Sequence, residues 1–213
     1  MTALSGHGGE LALAPLLDRG VSAVFTLSGG HIFPFFDACV KRDVRIVDVR
    51  HEQTATFAAE AMAKLTRGPG VAVLTAGPGV TNGVSAITTA HMNGAPLLVL
   101  AGRAPQSRWG SGSLQELDHV PIVSSVTKLA TTATSTSDIP KLVAEAVTTA
   151  LTPHRGPVFV DFPLDVVFAH GESDDQPVTT PRGAPLRYGD AAHGFTVPGF
   201  VAWGDPTRRI DAA

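Results

Sequence analysis

The sequence predicts an α/β fold: a doubly wound, mostly parallel six-stranded sheet with helices on both faces, followed by an irregular C-terminal tail. Three observations carry that prediction. Short apolar runs alternate with longer helix-like segments about six times before residue 170. The clearest runs, such as Val71–Ala76, are continuously apolar rather than alternating, as expected of parallel strands covered on both faces. From Gly171 onward Gly and Pro recur every few residues with no sustained period, which places a domain at 1–170 and an extended or poorly ordered tail at 171–213.

The elements follow in order. Leucines at 11, 13, 16 and 17 give Glu10–Arg19 a helical face that Gly20 stops, and Pro15 inside it predicts a late start or a bend. Ala23–Leu27 is a short strand leading into Ser28-Gly29-Gly30. His31–Val40 then reads as a helix with Phe33, Phe36 and Val40 on one side, and Val44–Val49 as the next strand. An Ala-rich helix follows Arg50-His51-Glu52-Gln53, then the strand Val71–Ala76, a Gly77-Pro78-Gly79 turn and the helix Val80–Asn93. Pro96–Ala101 is a fourth strand. The polar segment Gly102–His119 is far longer than a connection requires, and such loops are usually functional. Val126–Ala130 reads as an edge strand, Asp138–Leu151 as a helix with Ser137 as its N-cap, and Pro157–Phe162 as the last strand.

Composition excludes several classes of function. The chain has 213 residues, enough for one well-buried domain, and its formal net charge of −3 with no basic run argues against nucleic acid. No apolar run approaches the ~20 residues that cross a bilayer. The N-terminal stretch lacks a basic leader, so a cytoplasmic, reducing location is expected. Cys39, the one cysteine, allows no intrachain disulfide and reads as a buried structural residue rather than a nucleophile.

The chemistry concentrates between Val47 and Gly83. Glu52 falls where a strand's carboxyl end meets a helix start, the position at which open α/β sheets bind ligands. A first-turn glutamate is also favourable against the helix dipole by ~0.3–1 kcal/mol whatever its function. Gly77-Pro78-Gly79-Val80-Thr81-Asn82 departs from a dinucleotide fingerprint because Asn82 replaces the third glycine, and no acidic residue follows at the ribose distance. Walker lysine and recognised metal spacing are both absent, His51 and His91 included, so no metal ligand is expected in this chain.

Arg50-His51-Glu52-Gln53, Ala58-Ala59-Glu60-Ala61-Met62-Ala63 and Thr75–Gly83 together resemble the pyrimidine-binding domain of thiamine diphosphate enzymes. Within that family the similarity is greatest to acetolactate synthase large subunits and 2-hydroxyacyl-CoA lyases, over roughly Gly9–Phe168. The resemblance implies that Glu52 hydrogen-bonds the pyrimidine N1′ and favours the tautomer that activates the thiazolium carbon. It assigns Gly29, Gly30, His31, Thr75, Pro78, Gly79 and Asn82 to cofactor binding. Leu114-Gln115-Glu116 matches a Phe-Gln-Glu motif, which makes Gln115 a candidate catalytic residue; Lys128 matches a family lysine or is simply a solvated charge. His31 either faces the reacting carbon or caps its helix. Arg103, Arg108 and Trp109 are left between an acyl-CoA, a flavin and another domain.

The implied reaction of the whole enzyme is decarboxylation of a 2-keto acid and ligation to a second keto acid, of the branched-chain amino acid biosynthesis type. Mg²⁺, with FAD as an optional group, belongs to the complete enzyme, whose Gly-Asp-Gly metal motif these residues lack: the Gly-Asp pairs at 189–190 and 204–205 have no following glycine. The cofactor of that family lies across a dimer interface, so the expected partner is a second copy or a separate diphosphate-binding chain, without which the chain is inactive. The alternatives are a 2-hydroxyacyl-CoA lyase or other decarboxylase fragment, and a non-catalytic module pairing with a full-length homologue.

Overall fold

The computed structural model describes residues 4–173. Within them the order is β1 (Leu4–His7), α1 (Gly8–Leu17), β2 (Ala23–Leu27), α2 (Phe33–Lys41), β3 (Arg45–Asp48), α3 (Glu52–Thr66), β4 (Gly70–Leu74), α4 (Pro78–Met92) and β5 (Leu97–Arg103). It continues with α5 (Val120–Val123), β6 (Leu129–Thr132), α6 (Ile139–Leu151), β7 (Val158–Pro163), α7 (Leu164–Phe168) and β8 (His170–Ser173). Six strands form one sheet in the order β3-β2-β4-β5-β7-β6, with every pair parallel. The strand order reverses beside β2 and β4, so the carboxyl ends of these strands flank a switch point.

Alternation along each central strand divides the core in two. Val71, Val73, Leu98, Leu100, Val158 and Val160 face α1, α2, α6 and α7, whereas Ala72, Leu74, Leu97, Val99 and Phe159 face α3, α4 and α5. The predicted doubly wound sheet is therefore present. On the second face small residues let the helices approach closely, among them Ala55, Ala59, Gly83, Ala86 and Ala90, all buried. Glu60 is buried there and accepts a hydrogen bond from Asn93 Nδ2 at 2.9 Å while pairing with Lys64 at 2.7 Å. The Ala-Ala-Glu-Ala stretch thus ties α3 to the end of α4.

Several expectations are corrected. Helix α1 starts at Gly8, before Glu10, because His7 caps it: His7 Nδ1 accepts from Glu10 N at 3.2 Å and Glu10 Oε2 accepts from His7 N at 3.0 Å. Pro15 is accommodated within its last turns. The cap extends into an ion-pair network, with Asp37 Oδ2 at 2.8 Å from His7 Nε2 and Lys41 bridging Glu10 and Asp37, that holds α1 to α2. In α2 the buried face is Phe35, Ala38 and Cys39, while Phe33 and Val40 are 54% and 72% exposed. The α1 side of the sheet selects the first set, and hydrophobicity alone did not distinguish them. Burial pushes the Cys39 thiol up to about 12, consistent with an inert structural cysteine.

Helix α6 is not capped by Ser137. Its N-cap position is Asp138, and Ser135 Oγ contacts Asp138 at both N (3.3 Å) and Oδ2 (2.6 Å) in the preceding turn. Lys128 donates to the Thr149 and Thr152 carbonyls, the latter at 2.7 Å, and so closes the C-terminal end of α6 far from the Glu52 segment. Residues 171–173 belong to β8, which pairs antiparallel with β1, a two-stranded ribbon that lacked any alternating signal. The rest of the expected tail, 174–213, lies outside the described residues.

The α2 register gives a direct test. Phe35→Ala is expected to cost about 3–5 kcal/mol of folding stability in urea denaturation, and Phe33→Ala less than about 0.5 kcal/mol.

Candidate active site

Local sequence places Glu52 where it stands. β3 ends at Asp48, and His51 adopts extended geometry as the N-cap of α3, its Nδ1 accepting from Gln53 N at 3.1 Å. Glu52 is then the first helical residue and is directed inward, with 6% of its surface exposed. Its Oε2 accepts from Asn82 Nδ2 at 2.9 Å. The other oxygen faces Gly79, where an added Cβ would lie 3.6 Å from Glu52 Oε1. The two sequence motifs therefore meet through one carboxylate–amide contact, with Gly79 beside the other edge of that carboxylate.

Thr75 lies at the centre of the arrangement. A Cβ on Gly79 would come within 2.6 Å of its Cγ2, and a Cβ on Gly29 within 2.2 Å of its Oγ1. Both glycines are thus needed for the close approach of backbone to Thr75. Thr75 Oγ1 donates to Gln115 Oε1 at 3.5 Å. Beyond it opens a cavity of about 700 Å³ lined by the Ser28–His31 turn, Thr75, Pro105, Arg108, the Gly112–Gln115 segment and Leu164. Gly29, Gly30, His31, Thr75 and Gln115 are brought together on this cavity. Glu52, Gly79 and Asn82 lie on the other side of Thr75, and Pro78 is exposed at the first turn of α4.

His31 is not a solvated cap. It sits in a 3-10 turn, Gly30–Ile32, is 6% exposed, and its Nε2 donates to Leu114 O at 3.2 Å. Desolvation holds its imidazole below the ordinary value of 6.5, with the Leu114 hydrogen bond opposing and nearby His119 adding to the depression. Arg108 lines the cavity, whereas Arg103 and Trp109 are engaged with each other: the guanidinium lies 3.9 Å from the indole centroid.

Two fully buried residues near the site, His119 and Asp161, were absent from the sequence candidates. Asp161 had a legible signal, since it is the one charge in the apolar run Val158–Phe162, and a buried carboxylate demands a partner. His119 carried none, because it closes a polar loop whose path only the fold defines.

The His31 environment predicts a pH dependence. The unfolded chain takes up a proton that folded His31 resists, so this residue's penalty is absent above about pH 6.5 and grows as pH falls below it. His31→Gln is expected to flatten the loss of stability between about pH 6.5 and 5 in urea titrations, and a slope identical to wild type would refute the assignment.

Comparison with known proteins agrees with this geometry. The family model described as "Thiamine pyrophosphate enzyme, N-terminal TPP binding domain" matches residues 7–122. An acetolactate synthase large subunit of Mycobacterium tuberculosis is 49% identical over 187 residues, covering 87% of this chain and 34% of the relative. A 2-hydroxyacyl-CoA lyase 2 of Danio rerio is 42% identical over 179 residues, 83% of this chain and 29% of the relative, and the human protein of that name is 41% identical over 179 residues. The chain thus spans about a third of the length of the curated relatives it matches. With a doubly wound sheet, a buried glutamate opening the helix after β3 and the glycine-proline-glycine turn beside it, the chain belongs to the thiamine pyrophosphate enzyme family and forms its N-terminal TPP-binding domain.

Proposed function

We propose that this chain supplies the pyrimidine-binding half of the active site of an acetolactate synthase-like enzyme. The single observation that carries the proposal is the buried Glu52 carboxylate, with Oε2 engaged by Asn82 at 2.9 Å and Oε1 beside Gly79. A ring with a hydrogen-bonding nitrogen is a fitting partner for that second oxygen. When bound, thiamine diphosphate supplies a thiazolium carbon acid and an electron-accepting ring.

The chain's own residues have separate tasks. Glu52 Oε1 holds a hydrogen bond to a ring nitrogen in a water-poor site, where little charge is dissipated. Asn82 fixes the carboxylate's rotamer. Gly29, Gly30, Thr75, Pro78 and Gly79 shape the surface against the cofactor. His31 and Gln115, on the larger cavity, orient the 2-keto acid, and the depressed basicity of His31 keeps it uncharged near neutral pH. Mg²⁺, the diphosphate site and any FAD belong to residues outside this chain's described part. The partner is a second copy or a separate diphosphate-binding chain. The exposed apolar side chains Phe57 and Leu65 on α3 and Met92 on α4 lie on the helices that carry Glu52 and Asn82, and they support such a partner. No helix among the described residues is long and apolar enough to cross a membrane, which accords with a cytoplasmic enzyme.

A 2-hydroxyacyl-CoA lyase is the second reading. It is favoured by the relatives so named and by Arg108 on the cavity wall, a cation suited to an anionic substrate.

Calorimetric titration of thiamine diphosphate with Mg²⁺ into the chain alone is expected to show no micromolar binding, and acetolactate formation by the chain alone would overturn the half-site proposal. Reconstituted with a diphosphate-binding chain, Glu52→Gln is expected to lower kcat by about 10²–10⁴-fold. Activity on a 2-hydroxyacyl-CoA rather than pyruvate in that assembly would select the lyase.

A further inference from the structure

The turn beside Glu52 passes through a backbone conformation that glycine adopts most readily. Gly77 has φ +58° and ψ −116°, a region that side chains disfavour, and a Cβ there would lie 2.8 Å from Gln115 O. Gln115 is itself left-handed, with φ +57°. The turn makes its own backbone bonds, Gly79 N to Ala76 O at 3.2 Å and Val80 N to Gly77 O at 3.0 Å, but neither joins it to the loop that carries Gln115.

A buried chain of polar groups does. The Gly77 amide donates to His119 Nε2 at 2.8 Å. Because Nε2 accepts, the ring proton is on Nδ1, which donates to Asp161 Oδ2 at 2.8 Å. Arg103 Nη1 is 3.1 Å from the same oxygen and 3.2 Å from Asp118 Oδ1, and its guanidinium lies over Trp109. His119 and Asp161 are both 0% exposed. Buried this deeply, the carboxylate requires Arg103 as counter-charge, and the carboxylate in turn fixes the orientation of the imidazole. His119 is absent from the cavity wall, so it acts through the turn rather than on a bound molecule.

We propose that His119, backed by Asp161 and Arg103, is a positioning residue that locks the Gly77–Gly79 turn against the loop carrying Gln115, and thereby sets the position of Gly79 beside Glu52 Oε1. The lock is a property of the chain; its consequence for the aminopyrimidine rests on the thiamine diphosphate reading above.

The test uses the full chain. In His119→Phe, which keeps the ring's bulk and removes both nitrogens, the Gly77 amide is expected to exchange with solvent at least about tenfold faster, while the β4 amides stay protected. His119→Gln offers one acceptor and one donor and is expected to stay within about threefold of wild type. Wild-type exchange in His119→Phe, or equal loosening in both variants, would overturn the lock. If His119→Phe does not fold, ¹⁵N NMR of the wild type decides: a ring protonated on Nδ1 alone supports the lock, and a proton on Nε2 refutes it. Thiamine titration into the millimolar range, where a half-site alone binds weakly, followed at the Gly79 amide and the Asn82 side-chain amide, then separates the two ideas. Shifts in wild type and His119→Gln but not in His119→Phe support the positioning role, and equal shifts in all three refute it. Absence of shifts in every chain counts against the thiamine reading, and the exchange rates then decide the lock alone.

Discussion

Burial of β4 on both faces is the constraint on which the molecule depends. Each of its residues, Gly70–Leu74, is buried, and a strand in that position can carry no chemistry along its length. Its backbone groups are satisfied only by β2 and β5 in parallel register, and its alternate side chains only by helices on opposite sides. Function is therefore displaced to the point where β4 ends. There Thr75 is the first residue free to present a hydroxyl, and the chain must turn sharply at Gly77 to lay α4 back on the sheet. The cavity beside Thr75 and the close packing of Gly79 against its other side follow from that geometry.

Two carboxylates at the same end of the sheet show how burial assigns different tasks to similar groups. Asp161 is fully enclosed and engaged by His119 and Arg103 through one oxygen, so its charge is balanced internally and serves the architecture. Glu52 is held by a neutral amide through one oxygen, its other oxygen lies beside Gly79, and its position at the first turn of α3 puts it at the edge of the core rather than inside it. A carboxylate there, with no cation beside it among the described residues, is suited to act on something that arrives. The description of the matching family, an N-terminal TPP binding domain, points to the same cofactor chemistry.

The site is assembled from loops that differ in how much of their path the chain dictates locally. Glu52 and Asn82 sit at helix starts, so their directions follow from caps and turns written within a few residues of each. Gln115 and His31 depend on a long loop crossing back over β5. Gly102 passes so close beneath His31 that a side chain there would collide with it at 2.4 Å, and no local pattern encodes that approach.

By itself the sequence determined the alternation of strands and helices, the parallel sheet and the placement of Glu52 where a strand's carboxyl end meets a helix start. Those features arise from periodicity, caps and turn residues, which act over distances of a few residues. Tertiary structure alone decided which side of α2 is buried, that Lys128 closes α6, that β1 pairs with β8, and that His119 reaches Gly77. Each of these joins residues distant in sequence, with 42 positions separating the two ends of the Gly77–His119 bond. Such contacts form only when packing brings the segments together, because the energy that selects them is the burial of both partners at once.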